Sequence, residues 1–243
     1  MLNKTAIIIP TRMGSTRLEG KIHLDIGDKP LILHVIDRAR ETGIKRIYIA
    51  VDNHFHFDMV NNYGAEAIMT SEHHQSGTDR IYEAFSKINS QDLEYIINLQ
   101  GDLPFIKPKT IINALELFNK VTSDIITIAS VITNQDEINN PNVVKIALNS
   151  KQKALYFSRS PIPYNATNYY NHLGVYIYTK DSLKRFVNLA PSMLEQCEKL
   201  EQLRALENSL DIHVSFTDET PISIDTYEDL VKARKFEATF NKK

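Results

Sequence analysis

The sequence predicts an α/β protein: a mostly parallel sheet with helices on both faces, joined to a smaller mixed or antiparallel lobe. Three observations predict it. Short apolar runs such as Ile7-Ile8-Ile9 are apolar at successive positions, as strands buried on both faces require. Stretches with helical spacing alternate with these runs through the first half of the chain, which implies parallel strands joined by right-handed crossovers. After about Ser123 the rhythm changes to short strand-like runs separated by tight turns.

The first strand covers Ile7 to Ile9 and ends at Pro10, because proline cannot donate to a continuing ladder. Lys29-Pro30 opens a helical pattern through Leu31, His34, Val35, Arg38 and Ala39, with Gly43 as its stop. Strand Ile44–Val51 ends at Asp52. A helix over His54–Tyr63 stops at Gly64, and Ala65–Met69 is a third strand. Residues 70–78 are polar and loop-like, with Thr78 a candidate cap for a helix over Asp79–Ile88. Strand Glu94–Leu99 leads into Gln100-Gly101-Asp102, and Pro108–Lys120 is helical. Strands follow at Asp124–Thr133, Val143–Asn149, Ala154–Ser158, Leu173–Tyr178 and Ile212–Phe216. Helices are expected at Ser182–Leu189, Glu195–Leu210 and Tyr227–Phe240, the last capped from Asp225-Thr226. We read one domain in three parts: residues 1–123 for a ligand, 124–220 as the smaller lobe, and 221–243 as a closing segment.

Composition narrows the function. The chain has 243 residues and a net charge of −2, which argues against a nucleic-acid surface spanning the molecule. Cys197 is the single cysteine, so a disulfide framework and a cysteine zinc site are excluded; a small buried thiol is expected. The N-terminus has no secretory pattern and no apolar run is long enough to cross a bilayer, so a soluble, cytosolic protein without a membrane partner is expected.

In an open parallel sheet, ligands sit at the carboxyl ends of the strands. Arg12, Asp52, residues 70–78 and Asp102 therefore converge on one rim. The stretch I-I-I-P-T-R-M-G-S-T-R-L-E-G-K, residues 7–21, follows the first strand with a turn, Arg12–Lys21, that carries two glycines, two hydroxyls and three cations. Such a turn suits a triphosphate, although it matches neither G-x-G-x-x-G nor G-x-x-x-x-G-K-[ST]. A solvated basic loop is the competing reading.

Asp102 and Asp225 each follow a short apolar stretch. Together they can form a hard-oxygen site for Mg²⁺; singly, they can be a cation partner and a helix cap. His73 and His74, with His54 and His56, are read as solvated rather than as a metal cluster. Arg159 suits either a bidentate carboxylate clamp or a surface ion pair. Glu201, Gln202 and Arg204 lie on a helix and are expected to be exposed.

Eight segments in order carry a resemblance: I-I-P-T-R-M-G-S-T-R-L-E-G-K, H-Q-S-G-T-D-R, L-Q-G-D, N-V-V-K, A-L-Y-F-S-R-S-P-I-P, H-L-G-V-Y, L-E-Q-L-R and I-D-T-Y-E-D-L. The chain resembles the 3-deoxy-manno-octulosonate (Kdo) cytidylyltransferases over essentially its whole length. The resemblance implies a nucleotidyltransferase, Rossmann-like fold, a homodimer, Mg²⁺ dependence and a place in lipopolysaccharide synthesis. The implied reaction joins CTP and Kdo to give CMP-Kdo and pyrophosphate. It further implies that Pro10, Thr11, Arg12, Gly14, Ser15 and Lys21, with Gln75, Ser76, Gly77, Arg80 and Asp102, bind CTP. Lys21, Arg12, Asp102 and Asp225 would be catalytic, with the two aspartates on the metal. Arg17, Gln100, Arg159, His172, Tyr176 and Glu201 would address the sugar acid. Alternatives are a related acid as substrate, such as an 8-amino analogue or a sialic acid, and a CTP-binding protein without turnover.

The chain departs from the family pattern at three places. Glu19 replaces the proline of R-L-P-G-K, Leu103 replaces the acid of Q-G-D-E-P, and the tract between Pro163 and His172 is short.

Overall fold

The computed structural model describes residues 1–12, 14 and 18–240. Its contacts divide the chain into two compact units, residues 1–111 with 221–243, and residues 112–220.

The first unit is built on a parallel sheet ordered β6–β1–β4–β5. Strand β1 (Thr5–Pro10) is buried at every position, because it is central and both its neighbours are parallel. It pairs with β4 (Arg46–Val51) and β6 (Tyr95–Asn98), and β4 pairs with β5 (Glu66–Met69). Helices α1 (Leu31–Arg40), α2 (His54–Asn62) and α3 (Gly77–Lys87) make the crossovers. The carboxyl ends of β1, β4, β5 and β6 therefore deliver Thr11, Asp52, Thr70 and Gln100 to one rim.

A two-stranded antiparallel hairpin, β2 (Asp25–Ile26) with β3 (Lys29–Pro30), precedes α1. Lys29-Pro30 is thus a strand end rather than the first turn of α1, and Pro30 occupies the N-cap. The start of α3 also differs from expectation. The Ser76 hydroxyl accepts from the Asp79 amide at 3.1 Å, whereas Thr78 is completely buried as the second residue of the helix. Ser76-Gly77-Thr78-Asp79 is a capping sequence of the S-x-x-acid type, and that spacing decides between the two hydroxyls.

The C-terminal helix, Tyr227–Phe240, belongs to this first unit. Thr226 caps it: its hydroxyl accepts from the Asp229 amide at 3.2 Å, and Asp229 accepts from the Thr226 amide at 3.0 Å. Phe236 packs on Phe105 at 4.8 Å, and the Ile224 amide donates to the Asp102 carbonyl at 3.0 Å. That hydrogen bond ties the segment before the helix to the end of β6. Leu103, where the family pattern has an acid, is 1% exposed and lies in this core.

Helix α4 (Pro108–Glu116) carries the chain into the second unit. There β7 (Ile125–Val131) leads through a short helix α5 (Gln135–Asn139) to β8 (Lys145–Leu148), β9 (Ala154–Ser158) and β10 (Tyr170–Thr179). Helices α6 (Lys180–Val187), α7 (Met193–Glu198) and α8 (Gln202–Glu207) precede the last strand, β11 (Ile212–Thr217). β11 runs parallel to β7, while β7, β10, β8 and β9 pair antiparallel in turn.

The single helix expected over Glu195–Leu210 is two. Lys199 adopts a left-handed conformation, φ 57°, and breaks it. The break turns α8 back so that Arg204 meets Glu195, with its Nε 2.8 Å from one carboxylate oxygen and Nη2 2.5 Å from the other. Arg204 and Gln202 are buried rather than exposed, and Glu201 is half-buried. Cys197 is exposed, because its turn of α7 faces solvent once the helix is interrupted. Among the described residues, no helix is long and apolar enough to cross a membrane.

Candidate active site

Gly20 adopts φ +61°, and a Cβ there would fall 2.3 Å from the His23 ring. A side chain there would be strained in the left-handed region and would have to displace the His23 ring. The turn at Gly20 points Lys21 inward, at 16% side-chain exposure. Its ammonium donates to Asp102 Oδ2 at 2.9 Å, Asp225 Oδ1 at 3.0 Å and the Ile224 carbonyl at 3.1 Å. Burial pulls the Lys21 pKa down, but the two carboxylates more than offset it, so the ammonium titrates above its ordinary value. Asp102 reaches this point from the end of β6 and Asp225 from just before the C-terminal helix. With Thr226 acting as the cap, the Asp225 side chain faces the ammonium. Three residues far apart in sequence thus share one point on the rim.

Beside it is a cavity of about 150 Å³ lined by Pro10, Thr11, Arg12, His74, Gln75, Ser76, Gly77, Arg80 and Gln100. Gly101 is what lets the ends of β1 and β6 close on each other: a Cβ there would lie 3.3 Å from the Pro10 carbonyl. Gln100 is oriented by the buried Asn98, whose Oδ1 accepts from its amide at 3.1 Å. Arg80 is 2% exposed and donates to Thr70 Oγ1 at 2.8 Å and Asp52 Oδ2 at 3.2 Å. Burial lowers its pKa, Asp52 raises it and the charge of Arg12 lowers it. Two guanidiniums therefore bear on one small cavity, and Asp52 compensates the buried one.

Removal of that carboxylate strands a buried cation. Asp52→Ala is expected to cost about 3 kcal/mol of stability. For a chain of this length that is roughly 6–12 °C in melting temperature. A thermal melt within 2 °C of the unmodified protein would show that Arg80 does not need Asp52.

Of the residues assigned from sequence, Pro10, Thr11, Arg12, Gln75, Ser76, Gly77, Arg80 and Gln100 line the cavity. Lys21, Asp102 and Asp225 form the neighbouring cluster. Gly14 is exposed, as is Glu19. Ser15 and Arg17 lie outside the described residues. Arg159, His172, Tyr176 and Glu201 belong to the second unit. There the Arg159 guanidinium donates to the carbonyls of Glu198 at 2.8 Å and Pro141 at 2.9 Å. The Tyr176 hydroxyl donates to Gln202 Oε1 at 3.1 Å, and burial raises its pKa far above the ordinary value.

His172 packs on Phe157 and Tyr176, with ring centroids 5.0 and 5.3 Å away. Thr127 Oγ1 lies 2.8 Å from His172 Nε2 and 2.8 Å from the Val175 carbonyl. Since the hydroxyl must donate to the carbonyl, it accepts from Nε2–H, which makes His172 a neutral ring protonated at Nε2. Burial pushes its pKa down to about 3. The unfolded chain binds this proton near pH 6.5, so stability is full above that value and is lost as pH falls toward 3. His172→Phe is expected to flatten that part of the stability–pH curve, as urea midpoints between pH 7 and 4 would read. An unchanged slope would mean that His172 does not titrate there.

His74 is the cavity residue that sequence reading missed. Its place directly before Q-S-G-T-D-R was the available signal, outweighed by the expectation that adjacent histidines are solvated. His56 also departs from that expectation: it is fully buried, and burial lowers its pKa.

Comparisons with known proteins place the chain in a family. The cytidylyltransferase family model matches residues 6–212. The 3-deoxy-manno-octulosonate cytidylyltransferase of Bartonella bacilliformis is 45% identical over 97% of this chain and 99% of its own. Its counterpart in Brucella canis is 47% identical over 96% and 95%. A solved structure of CMP:2-keto-3-deoxy-manno-octonic acid synthetase complexed with CTP superposes with a TM-score of 0.91 at 38% identity, covering 98% of this chain and all of that one. Identity at this level over nearly the whole of both chains, on the same fold, shows that this chain belongs to the 3-deoxy-manno-octulosonate cytidylyltransferase family.

Proposed function

We propose that this chain joins CTP to 3-deoxy-D-manno-octulosonate, giving CMP-Kdo and pyrophosphate. The observation that carries the reading is the meeting of Lys21, Asp102 and Asp225 beside the cavity that holds Arg12 and Arg80. The anomeric hydroxyl of the sugar acid attacks the α-phosphorus in line. An oxygen–phosphorus bond forms, the bond to the β-phosphate oxygen breaks, pyrophosphate leaves and the hydroxyl proton is lost. Such a transfer needs position and charge neutralisation more than covalent help from the protein. Arg12 and Lys21 supply cationic charge to the triphosphate, and Pro10, Thr11, Gly14, Gln75, Ser76, Gly77 and Arg80 enclose the nucleotide. On the family's pattern, Arg159, His172, Tyr176 and Glu201 of the second unit are assigned to the sugar acid.

Asp102 and Asp225 fit Mg²⁺. They are two hard carboxylates converging on one cation, the number Mg²⁺ takes from protein when phosphate oxygens and water fill its other positions. Among the described residues, no group of three or more His, Cys, Asp or Glu side chains could hold a metal by itself. When bound, the ion neutralises phosphate charge and lowers the pKa of a coordinated hydroxyl. A homodimer, a cytoplasmic location and a role in lipopolysaccharide assembly go with the same proposal, supported by family membership.

The test is pyrophosphate release from CTP and Mg²⁺ with Kdo, its 8-amino analogue and a sialic acid in parallel. Release with Kdo at a kcat/KM well above the other two is expected. A preference for another acid would change the substrate, and CTP binding without release from any acid would leave a binding protein.

A further inference from the structure

The wall of the cavity formed by His74 and Gln75 lies on a loop whose two ends are fixed to the sheet and to α3. At its start, the Thr70 amide and hydroxyl both donate to the Val51 carbonyl, at 2.7 and 2.8 Å. At its end, Ser76 caps α3. Between these anchors the loop leans on Glu83, two turns into the helix. One carboxylate oxygen of Glu83 accepts from the Ser71 amide at 2.9 Å and from His74 Nε2. The other accepts from Lys87 Nζ at 2.5 Å, one turn further along the same helix. Lys87 in turn donates to the Met69 carbonyl at 2.8 Å. Burial opposes ionisation of Glu83, yet the donors from Lys87, Ser71 and His74 together hold its pKa down to about 2. The carboxylate is therefore charged at any working pH.

We infer that Glu83 is a positioning residue for nucleotide binding: it does not line the cavity, but it fixes the ring of His74 and the loop through Gln75 that do. The inference rests on the proposed function for the identity of the ligand, CTP. Glu83 touches loop and helix together, so its loss frees the middle of the loop while leaving both anchors in place. Ordering that wall then falls to the ligand, which lowers affinity without moving the groups assigned to the reaction. Part of that ordering is recovered when the nucleotide binds, and the expected loss is roughly tenfold in Kd, about 1.4 kcal/mol.

Direct binding tests it. With CTP titrated calorimetrically, Glu83→Ala is expected to raise Kd about tenfold. Glu83→Gln, which can still accept from the Ser71 amide, should fall between Glu83→Ala and the unmodified protein. Lys87→Met removes the partner that is not in the loop and should stay within twofold. In a double-mutant cycle, Glu83→Ala should matter less once His74 is alanine. In turnover, the KM for CTP should rise while kcat and the KM for the sugar acid stay within twofold. A Kd within twofold in both Glu83 variants overturns the inference, as does equal loss toward CTP and the sugar acid. Absence of CTP binding by the unmodified protein overturns it together with the proposed function. CTP binding without pyrophosphate release removes that function alone and leaves the Glu83 comparison to decide.

Discussion

Asp102→Asn is expected to reduce pyrophosphate release by about 10³-fold or more, to background, with the fold retained. The substitution keeps size and shape and removes one negative charge. That charge matters at two points. It is half of the carboxylate pair that fits Mg²⁺, and a preorganised charge at a reacting phosphate is typically worth 10²–10³-fold or more in rate. It is also one of three acceptors around Lys21. Structurally the loss is modest, because the ammonium keeps Asp225 at 3.0 Å and the Ile224 carbonyl at 3.1 Å. The Asp102 carbonyl still accepts from the Ile224 amide, since that bond is to the backbone. A melting temperature within about 4 °C of the unmodified protein therefore goes with the lost activity, as a single partly exposed ion pair contributes about 1 kcal/mol or less. Near-normal turnover in Asp102→Asn would take Asp102 out of the metal site and out of the reaction.

Much of this arrangement is legible in the sequence, for reasons that can be traced to particular residues. Three consecutive β-branched isoleucines stopped by Pro10 fit a strand covered on both faces. Pro10 and Gly101 mark where β1 and β6 end, and the rim follows from the parallel order. What is not legible depends on distance or on a choice between equals. Ser76 and Thr78 are both competent caps, and the position of Asp79 selects Ser76. Leu194, Cys197, Leu200, Leu203 and Leu206 recur every three residues on both sides of Lys199, so the break there has no periodic signature. Its consequences, the buried Arg204–Glu195 pair and the exposed Cys197, were hidden with it. Lys21 and Asp225 are 204 residues apart, and nothing local in either says that they share a hydrogen bond. The motif order could suggest that Lys21 faces phosphates; that it also bridges the two aspartates comes from the fold. Glu83 stayed invisible because its work is done through His74 and Ser71 rather than through contact with the cavity.

Lys21→Ala is expected to weaken CTP binding by about 10²-fold and to change how the protein responds to divalent cations. The first effect follows from charge. A partly buried ammonium facing a triphosphate is screened far less than a surface lysine, and removal of such a donor costs a few kcal/mol. The second follows from what remains. Asp102 and Asp225 both lie within 3.0 Å of the ammonium. Without it, the two carboxylates lose the ammonium they share, and their mutual repulsion lowers stability. On the proposed metal site, Mg²⁺ would take the same two oxygens that Lys21 holds here. The melting temperature of Lys21→Ala should fall, and millimolar Mg²⁺ at constant ionic strength should raise it by more degrees than it raises the unmodified protein. CTP titration and thermal melts with and without Mg²⁺ read the two effects separately. Unchanged CTP affinity would remove Lys21 from the phosphate cradle. Equal Mg²⁺ response in the two proteins would mean that these carboxylates do not hold the ion.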